Sequence, residues 1–330
     1  MLKGDIMLNR RQASIALFAT SSLLSVGTQA QPKWPDRTVR ILVPFAAGGG
    51  VDIAARLVAD KLRERWGQSV VIDNRPGANS LIAAQAVLAA PKDGYTLLMT
   101  NVNTFVLPAV NPNVKIRPLE DFMPIAEINV DQLVVVVPSS VQGQLPQILA
   151  AAQKDPKSFA FGTYGYGTLA HLLLIEINKT RSLDLPHIPY RGTAPLVQSM
   201  LAGDVKLGVS NFGTAKPFLE SGRLRAVAVY GASRSPFMPT VPTLAESGVA
   251  GFDGFQWIGL FAANGTSKNL VQRISGDVSA VLKDESLVMR LADMFTQPGT
   301  RVLDDFGKFV ERDAGIQGRM SQAAGIRMGD

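Results

Sequence analysis

Short apolar runs alternate with segments of helical periodicity from residue 38 onward. Residues 39–43 predict a buried strand, and residues 53–66 predict a helix because their apolar side chains fall on one face. Two further strands at 70–72 and 95–99 enclose a second helix at 80–89. Strand–helix–strand units of this length predict right-handed crossovers and a mostly parallel sheet.

The pattern changes after the third strand. Residues 101–119 are rich in Asn and Pro and predict a loop region, and strands follow at 122–128 and 133–137 with a polar break between them. A second alternating series then runs to residue 229. It comprises helices at 145–153, 168–179, 194–202 and 214–220 and strands at 158–162, 186–188, 205–209 and 225–229. A Gly- and Pro-punctuated stretch precedes a strand at 255–262, and helices at 270–283 and 303–323 complete the chain.

This order of elements predicts an α/β fold of two lobes. Residues 36–130 and 255–330 would form a discontinuous first lobe, and residues 131–254 would form the second. The chain would cross between the lobes twice, near 129–132 and near 252–257. Two crossings make a hinge, so we expect a cleft between the lobes.

The amino terminus predicts an export signal. A pair of arginines at 10–11 precedes an uncharged run at 13–27, and small residues lead to Ala30. This order is typical of a secretory signal, here residues 1–30, cleaved after Ala30, and it predicts a periplasmic protein. General secretion fits these residues better than twin-arginine export, and translation from Met7 would leave the signal intact.

Composition excludes several kinds of site. The predicted signal carries three basic residues and one acidic residue, so its removal lowers the formal net charge from +6 to +4. No block of Lys and Arg is interleaved with aromatic residues, which argues against nucleic-acid binding. With no cysteine and only two histidines, the sequence predicts neither a disulfide nor a metal site. A mild positive charge favours small anions instead.

Three glycine-containing loops share one design. Residues 44–52, 162–168 and 190–195 each join the carboxyl end of a predicted strand to the start of a helix. Helix N-termini present unpaired N–H groups to anions, and glycine lets a ligand approach that backbone closely. Thr168 and Thr193 can either cap their helices or turn their hydroxyl groups to the ligand. Each loop alone is compatible with a simple tight turn, but three at equivalent strand ends favour anion binding.

Two alternative functions follow from other residues. Residues 165–170 match the dinucleotide-binding pattern GxGxxA, but Asp184 precedes the next strand instead of ending it, which disfavours a nicotinamide-dependent dehydrogenase. A periplasmic hydrolase or isomerase acting on a small carboxylate would use His171 with Ser210 or Asp52. Neither a GxSxG elbow nor a phosphate-binding Walker loop supports an enzyme.

Six segments in a fixed order carry a resemblance to a known family. They are VPFAAGGGVD (43–52), NRPGA (74–78), DGYTLL (93–98), YGTLAH (166–171), PYRGTAP (189–195) and PTVPTLAESG (239–248). With these segments the chain resembles the Bug family, the substrate-binding proteins of tripartite tricarboxylate transporter systems. It departs from many members at Asn79-Ser80, at residues 100–105 and at Ser210-Asn211, where an Asp-Asn pair is usual.

The resemblance implies a type II periplasmic binding protein fold that closes on a small carboxylate without a cofactor. It implies partners in the membrane subunits of a transporter or in a sensor domain, and we expect a monomer. The missing aspartate at 210 would suit a more anionic or less aminated ligand. From the loops and the family together, the predicted ligand-binding residues are Phe45, Ala46, Gly48, Gly49, Asp52, Asn101, Thr104, Thr163, Gly165, Gly167, Thr168, His171, Arg191, Gly192, Thr193, Ala194, Ser210 and Asn211.

Overall fold

The computed structural model describes residues 34–252 and 255–327, so the predicted export signal lies outside the described residues. The strands form two sheets. The first has the order β11-β4-β10-β3-β1-β2 and the second has the order β7-β6-β8-β5-β9. Their bounds are β1 Val39–Val43, β2 Val70–Asn74, β3 Thr96–Thr100, β4 Phe122–Asp131, β5 Leu133–Pro138, β6 Phe161–Thr163, β7 His187–Pro189, β8 Leu207–Asn211, β9 Leu224–Val229, β10 Gln256–Ala263 and β11 Gln297–Pro298.

Both sheets are mixed, so the predicted mostly parallel sheet is wrong. In the first sheet β1 pairs in parallel with β2 and β3, whereas β10 is antiparallel to β3 and β4. In the second sheet β6 is parallel to β7 and β8, whereas β5 is antiparallel to β8 and β9. The antiparallel pairs involve the strands next to the two chain crossings. Each antiparallel pair named above contains β5 or β10, which enters its sheet from the other one, so no helical crossover of the βαβ type sets the direction of that strand.

Helices surround both sheets. Their bounds are α1 Gly50–Trp66, α2 Leu81–Ala89, α3 Asn103–Val110, α4 Pro118–Asp121, α5 Leu145–Lys154, α6 Leu169–Arg181, α7 Thr193–Ala202, α8 Phe212–Glu220, α9 Lys268–Val281, α10 Glu285–Asp293 and α11 Leu303–Ala323. In the part of the chain that the structure describes, no helix combines the length and the apolar character that crossing a membrane would require.

Three local predictions need correction. The predicted loop at 101–119 contains α3, which forms despite Pro108 because Phe105, Leu107 and Val110 are buried. The strand predicted at 158–162 begins only at Phe161, since residues 156–158 form a 3-10 turn. Strand β4 continues through the predicted polar break to Asp131 because β10 pairs with it along its length. Tertiary packing and pairing override the local pattern in each case.

Separate apolar cores stabilise the two sheets. Trp257 and Phe261 of β10 and Phe306 of α11 belong to a buried cluster on the first sheet. On the second sheet, β5 contributes alternate valines to two clusters, one containing Val135 and the other Val134. The chain passes between the sheets from β4 to β5 and again between β9 and β10. The α/β architecture with two lobes is therefore confirmed.

Candidate functional site

A cavity lies where the two sheets face each other, and three helix N-termini line it. Gly49 and Gly50 begin α1, Gly192 and Thr193 begin α7, and Asn211 precedes α8. The space not occupied by atoms is about 390 Å³, counted with its open mouth. The remaining lining residues are Phe45, Val51, Asn101, Asp131, Leu133, Tyr164, Gln256 and Ile258.

The three helices present their backbone donors to this cavity. Among the described residues, no side chain makes a capping hydrogen bond at Gly49, Gly192 or Asn211. The first N–H groups of a helix have no partner inside the helix, and the helix dipole makes that end positive. None of the described side chains that line the cavity is Lys, Arg or His. Attraction of an anion to this cavity therefore has to come from the backbone N–H groups at the helix N-termini, an arrangement that binds compact anions in other proteins.

The two lobes touch around this cavity. The backbone N–H of Ala46 donates to the carbonyl of Arg191 at 3.1 Å, and the hydroxyl of Thr214 donates to the carbonyl of Gly48 at 3.4 Å. The Tyr164 hydroxyl donates to Gln256 Oε1 at 3.4 Å. These bonds join loops of the second sheet to the first, so the structure represents a closed arrangement of the lobes.

Comparison with known proteins agrees with this geometry. Residues 54–326 match the sequence model of a protein family, the tripartite tricarboxylate transporter family receptor. The chain belongs to this family. BugT from Bordetella pertussis is 29% identical over 318 residues, which are 94% of this chain and 97% of BugT. The predicted membership of the Bug family is confirmed.

Two solved structures are similar along almost their whole length. MatC from Rhodopseudomonas palustris, with bound malate, has a TM-score of 0.82 and 27% identity and covers 87% of this chain and 99% of MatC. A second R. palustris protein, with adipate, has a TM-score of 0.82 and 31% identity over 89% of this chain and 99% of its own. The predicted fold of a periplasmic binding protein, with a cleft between two lobes, is thereby confirmed for this family member.

The structure brings some of the predicted ligand residues together. Six of them line the cavity: Phe45, Gly49, Asn101, Gly192, Thr193 and Asn211. Gly165 and Arg191 line an adjoining outer cavity of about 880 Å³, which also contacts Phe45. The others line neither space: Ala46, Gly48, Asp52, Thr104, Thr163, Gly167, Thr168, His171, Ala194 and Ser210.

Asp52 holds the first loop instead of lining the cavity. Its carboxylate accepts hydrogen bonds from the Gly48 N–H at 2.8 Å, from Asn74 Nδ2 at 2.9 Å and from two guanidinium nitrogens of Arg56. Burial alone would raise the pKa of this carboxyl, but the bonds from Arg56, Gly48 and Asn74 outweigh it and lower the pKa. An ionised Asp52 so paired fixes the loop that carries Gly49.

The loop at 162–168 is also stabilised internally. Thr168 Oγ1 donates to the Gly165 carbonyl at 2.7 Å, and the Gly167 N–H donates to His171 Nδ1 at 3.1 Å. Thr163 Oγ1 lies 2.7 Å from His187 Nε2. The start of α6 is therefore not one of the three helix N-termini at the cavity. The sequence pattern predicted α6 as the third of them, but in the structure the third is the start of α8. Only Tyr164 of this loop reaches the cavity.

The residues that a hydrolase would need, His171 with Ser210 or Asp52, each have hydrogen-bond partners other than one another. Ser210 is fully buried, and its Oγ donates to the carbonyl of Asn211 at 3.0 Å. His171 accepts from Gly167, and Asp52 is occupied as described above. Within residues 34–252 and 255–327, no hydrogen bond connects Ser210, His171 and Asp52 to one another.

Two histidines, one buried and one partly buried, stack on each other in the second lobe. The rings of His171 and His187 are parallel within 10°, with centroids 4.1 Å apart. The pKa of both histidines is lowered from 6.5 to about 4, by burial in each case and, for His171, also by the neighbouring His187. Between these values the unfolded chain binds more protons than the folded chain, so stability falls as the pH decreases through this window.

We therefore expect the melting temperature to decrease as the pH is lowered from about 6.5 to about 4. In a His187→Phe variant, which keeps a ring in the stack but removes one titrating group, this decrease should be smaller. Thermal unfolding at several pH values measures both slopes. Equal slopes in the two proteins would show that the stack does not cause the pH dependence.

Several lining residues carry no local signal in the sequence and were not predicted, above all Asp131 and Gln256. Both lie at the chain crossings, at the end of β4 and the start of β10. Both residues fall within the predicted crossings near 129–132 and 252–257. Segments that connect two lobes lie at the base of the cleft between them, so these crossings could have been predicted to contribute lining residues. Asp131 is 5% exposed, and burial raises its pKa to about 8. Hydrogen bonds from the backbone of Gln132 and from the side chain of Asn211 lower this pKa, but by less than burial raises it.

Proposed function

We propose that this family member binds a small organic carboxylate in the cavity between its lobes and delivers it unchanged to a membrane transporter or a sensor. The observation that carries the proposal is the convergence of three uncapped helix N-termini on one small cavity. Charge-assisted hydrogen bonds contribute roughly 1.5–3 kcal/mol each, so four to six of them support micromolar affinity without a basic side chain. The malate and adipate of the two solved relatives are ligands of this chemical class.

The remaining assignments belong to the same proposal. We place residues 36–130 and 255–330 in one lobe and residues 131–254 in the other, with the hinge at the two crossings. The protein would be exported to the periplasm by a signal cleaved after Ala30 and would act there as a monomer, without cofactor or metal. The separation of His171, Ser210 and Asp52 in the structure supports binding over hydrolysis. Mass spectrometry of the exported protein tests the cleavage site, and an intact residue 1 would contradict it.

Thermal unfolding with a panel of carboxylates tests the binding function. A ligand at a hundredfold excess over its Kd stabilises the folded state by about 2.7 kcal/mol, which corresponds to a rise in Tm of roughly 5 °C. We expect at least one of succinate, malate, aspartate, adipate, citrate, nicotinate and benzoate to give such a rise. Equimolar chloride serves as the control for ionic strength. No response to any organic acid would contradict the proposal.

A further inference from the structure

One acidic side chain lines a cavity that is otherwise equipped for an anion. Asp131 ends β4, is 5% exposed and contributes to the wall of the cavity. Its Oδ1 atom is buried and has no hydrogen-bond partner among residues 34–252 and 255–327. A buried carboxyl oxygen without a donor is costly, and in native proteins such an atom has a specific reason to be left open.

A second acceptor lies beside it in the same state. Oδ1 of Asn211, another lining residue, is also buried and without a partner in the described part of the chain. Its side chain does not cap α8 but extends towards α1, where Nδ2 lies 1.3 Å from the position that a Cβ atom would take on Gly50. The cavity therefore combines two kinds of wall. Backbone donors come from the helix N-termini, and unpaired acceptors come from Asp131 and Asn211.

A carboxylate alone satisfies only the donors. Its oxygens are acceptors, so they pair with the N–H groups but leave Asp131 Oδ1 and Asn211 Oδ1 unpaired. A neighbouring hydroxyl or ammonium group on the same ligand supplies what is missing. Sites that hydrogen-bond a polar group of a ligand discriminate strongly against the analogue that lacks it, because their own buried groups then stay unpaired.

We propose that Asp131 is a specificity-determining residue that selects carboxylates carrying a hydrogen-bond donor, either a hydroxyl or an ammonium group. This inference rests on the proposed function and narrows its ligand class. The absence of an aspartate at position 210, on β8, led to the expectation of a more anionic or less aminated ligand. Asp131 reverses that expectation, because it supplies an acidic group to the cavity from β4. Burial raises the pKa of Asp131 to about 8 in the protein without a ligand, and a hydroxyl or ammonium donor at Oδ1 would favour the ionised, accepting form of the carboxyl and lower that pKa.

Calorimetric titration with three matched diacids tests the inference. Succinate, malate and aspartate share one four-carbon skeleton and differ by hydrogen, hydroxyl or ammonium at a single carbon. We expect malate or aspartate to bind roughly ten- to a hundredfold more tightly than succinate. In Asp131→Leu, which replaces both acceptor oxygens by methyl groups with the same branching, that preference should fall below about threefold. In Asp131→Asn a preference for aspartate should be lost, whereas a preference for malate should largely remain, because one acceptor oxygen is kept.

Controls separate selectivity from folding and from the proposed function. Asp313→Asn alters another partly buried carboxyl, which accepts from Trp257 Nε1 at 2.8 Å and does not line the cavity, and this variant should keep the preference. If a different acid of the panel binds, it is compared with its hydroxylated and aminated analogues in the same way. Equal affinity with and without the donor, or a preference that survives in Asp131→Leu, overturns the inference while the proposed function stands. Failure of every acid to bind overturns both.

Discussion

Replacing Gly50 by alanine is expected to abolish tight carboxylate binding without weakening the fold. The added Cβ atom would lie 1.3 Å from Asn211 Nδ2 and 2.5 Å from Asn211 Cγ, so either the buried Asn211 side chain leaves its position at the cavity or the lobes stay apart. Gly50 lies on α1 of the first lobe and Asn211 lies on β8 of the second, so the overlap occurs between lobes. The first lobe alone accepts alanine, because Gly50 is the first residue of a helix and alanine favours helices.

The expected size of the effect follows from the bonds that closure forms. A variant that cannot close loses the donors of α7 and α8, which amount to at least two hydrogen bonds of roughly 1.5–3 kcal/mol each. Affinity for the ligand found in the panel should therefore decrease by about a hundredfold or more. Titration calorimetry measures the affinity, and urea unfolding without ligand should show a free energy within about 1 kcal/mol of wild type.

The chain offers a matched control and a way to locate the cause. Gly276 lies inside α9, and a Cβ atom added there would meet no neighbouring atom within 4 Å, so Gly276→Ala should stabilise the fold by about 0.5–1 kcal/mol and leave affinity unchanged. In an Asn211→Ala background, Gly50→Ala should cost much less affinity because the overlapping amide is gone. Unchanged binding by the Gly50→Ala protein would show that the lobes do not close as the structure has them.

Two of the three helix N-termini at the cavity were predictable from the sequence. The loops at 44–52 and 190–195 carry glycine between an apolar strand and a helix, and that pattern is local. The third helix N-terminus, at α8, was not predictable in the same way. Helix α8 begins at Phe212, directly after β8, and Gly213 lies inside the helix instead of in a loop before it. The loop at 162–168 has the glycine pattern, but His171 Nδ1 accepts the N–H of Gly167 within the loop.

Asp131 shows why local sequence patterns do not predict every residue that lines the cavity. The sequence breaks its apolar run at 129–132, which predicts the end of a strand, yet β4 continues to Asp131 because Gln256 pairs with it from β10. These two residues are 125 positions apart in the chain, so their pairing leaves no trace in a short window. Sequence patterns predict the elements and the crossings, whereas the depth and polarity of the cavity depend on pairing between distant strands.

The second large effect concerns stability, and it tests whether the carboxyl-terminal helix belongs to the core of the first lobe. Phe306 of α11 is fully buried, and its ring packs edge-on against Trp257 at 5.4 Å and beside Phe261 at 5.3 Å between centroids. Gly259 of β10 allows this approach, since a Cβ atom there would lie 2.3 Å from Phe306 Cζ. Phe306→Ala should therefore lower the free energy of unfolding by about 3–5 kcal/mol, measured by urea denaturation.

Phe309→Ala, on the same helix, is the control for this prediction. Phe309 is only partly buried and stacks against the guanidinium of Arg301 at 4.1 Å, so its truncation should cost about 1 kcal/mol. The difference between the two variants measures how much α11 contributes to the first lobe, because both remove one benzyl ring from one helix. A loss below about 1 kcal/mol in Phe306→Ala would mean that α11 is not part of that core. The carboxyl-terminal part of the chain would then contribute to the first lobe through β10, which pairs with β3 and β4, and not through α11.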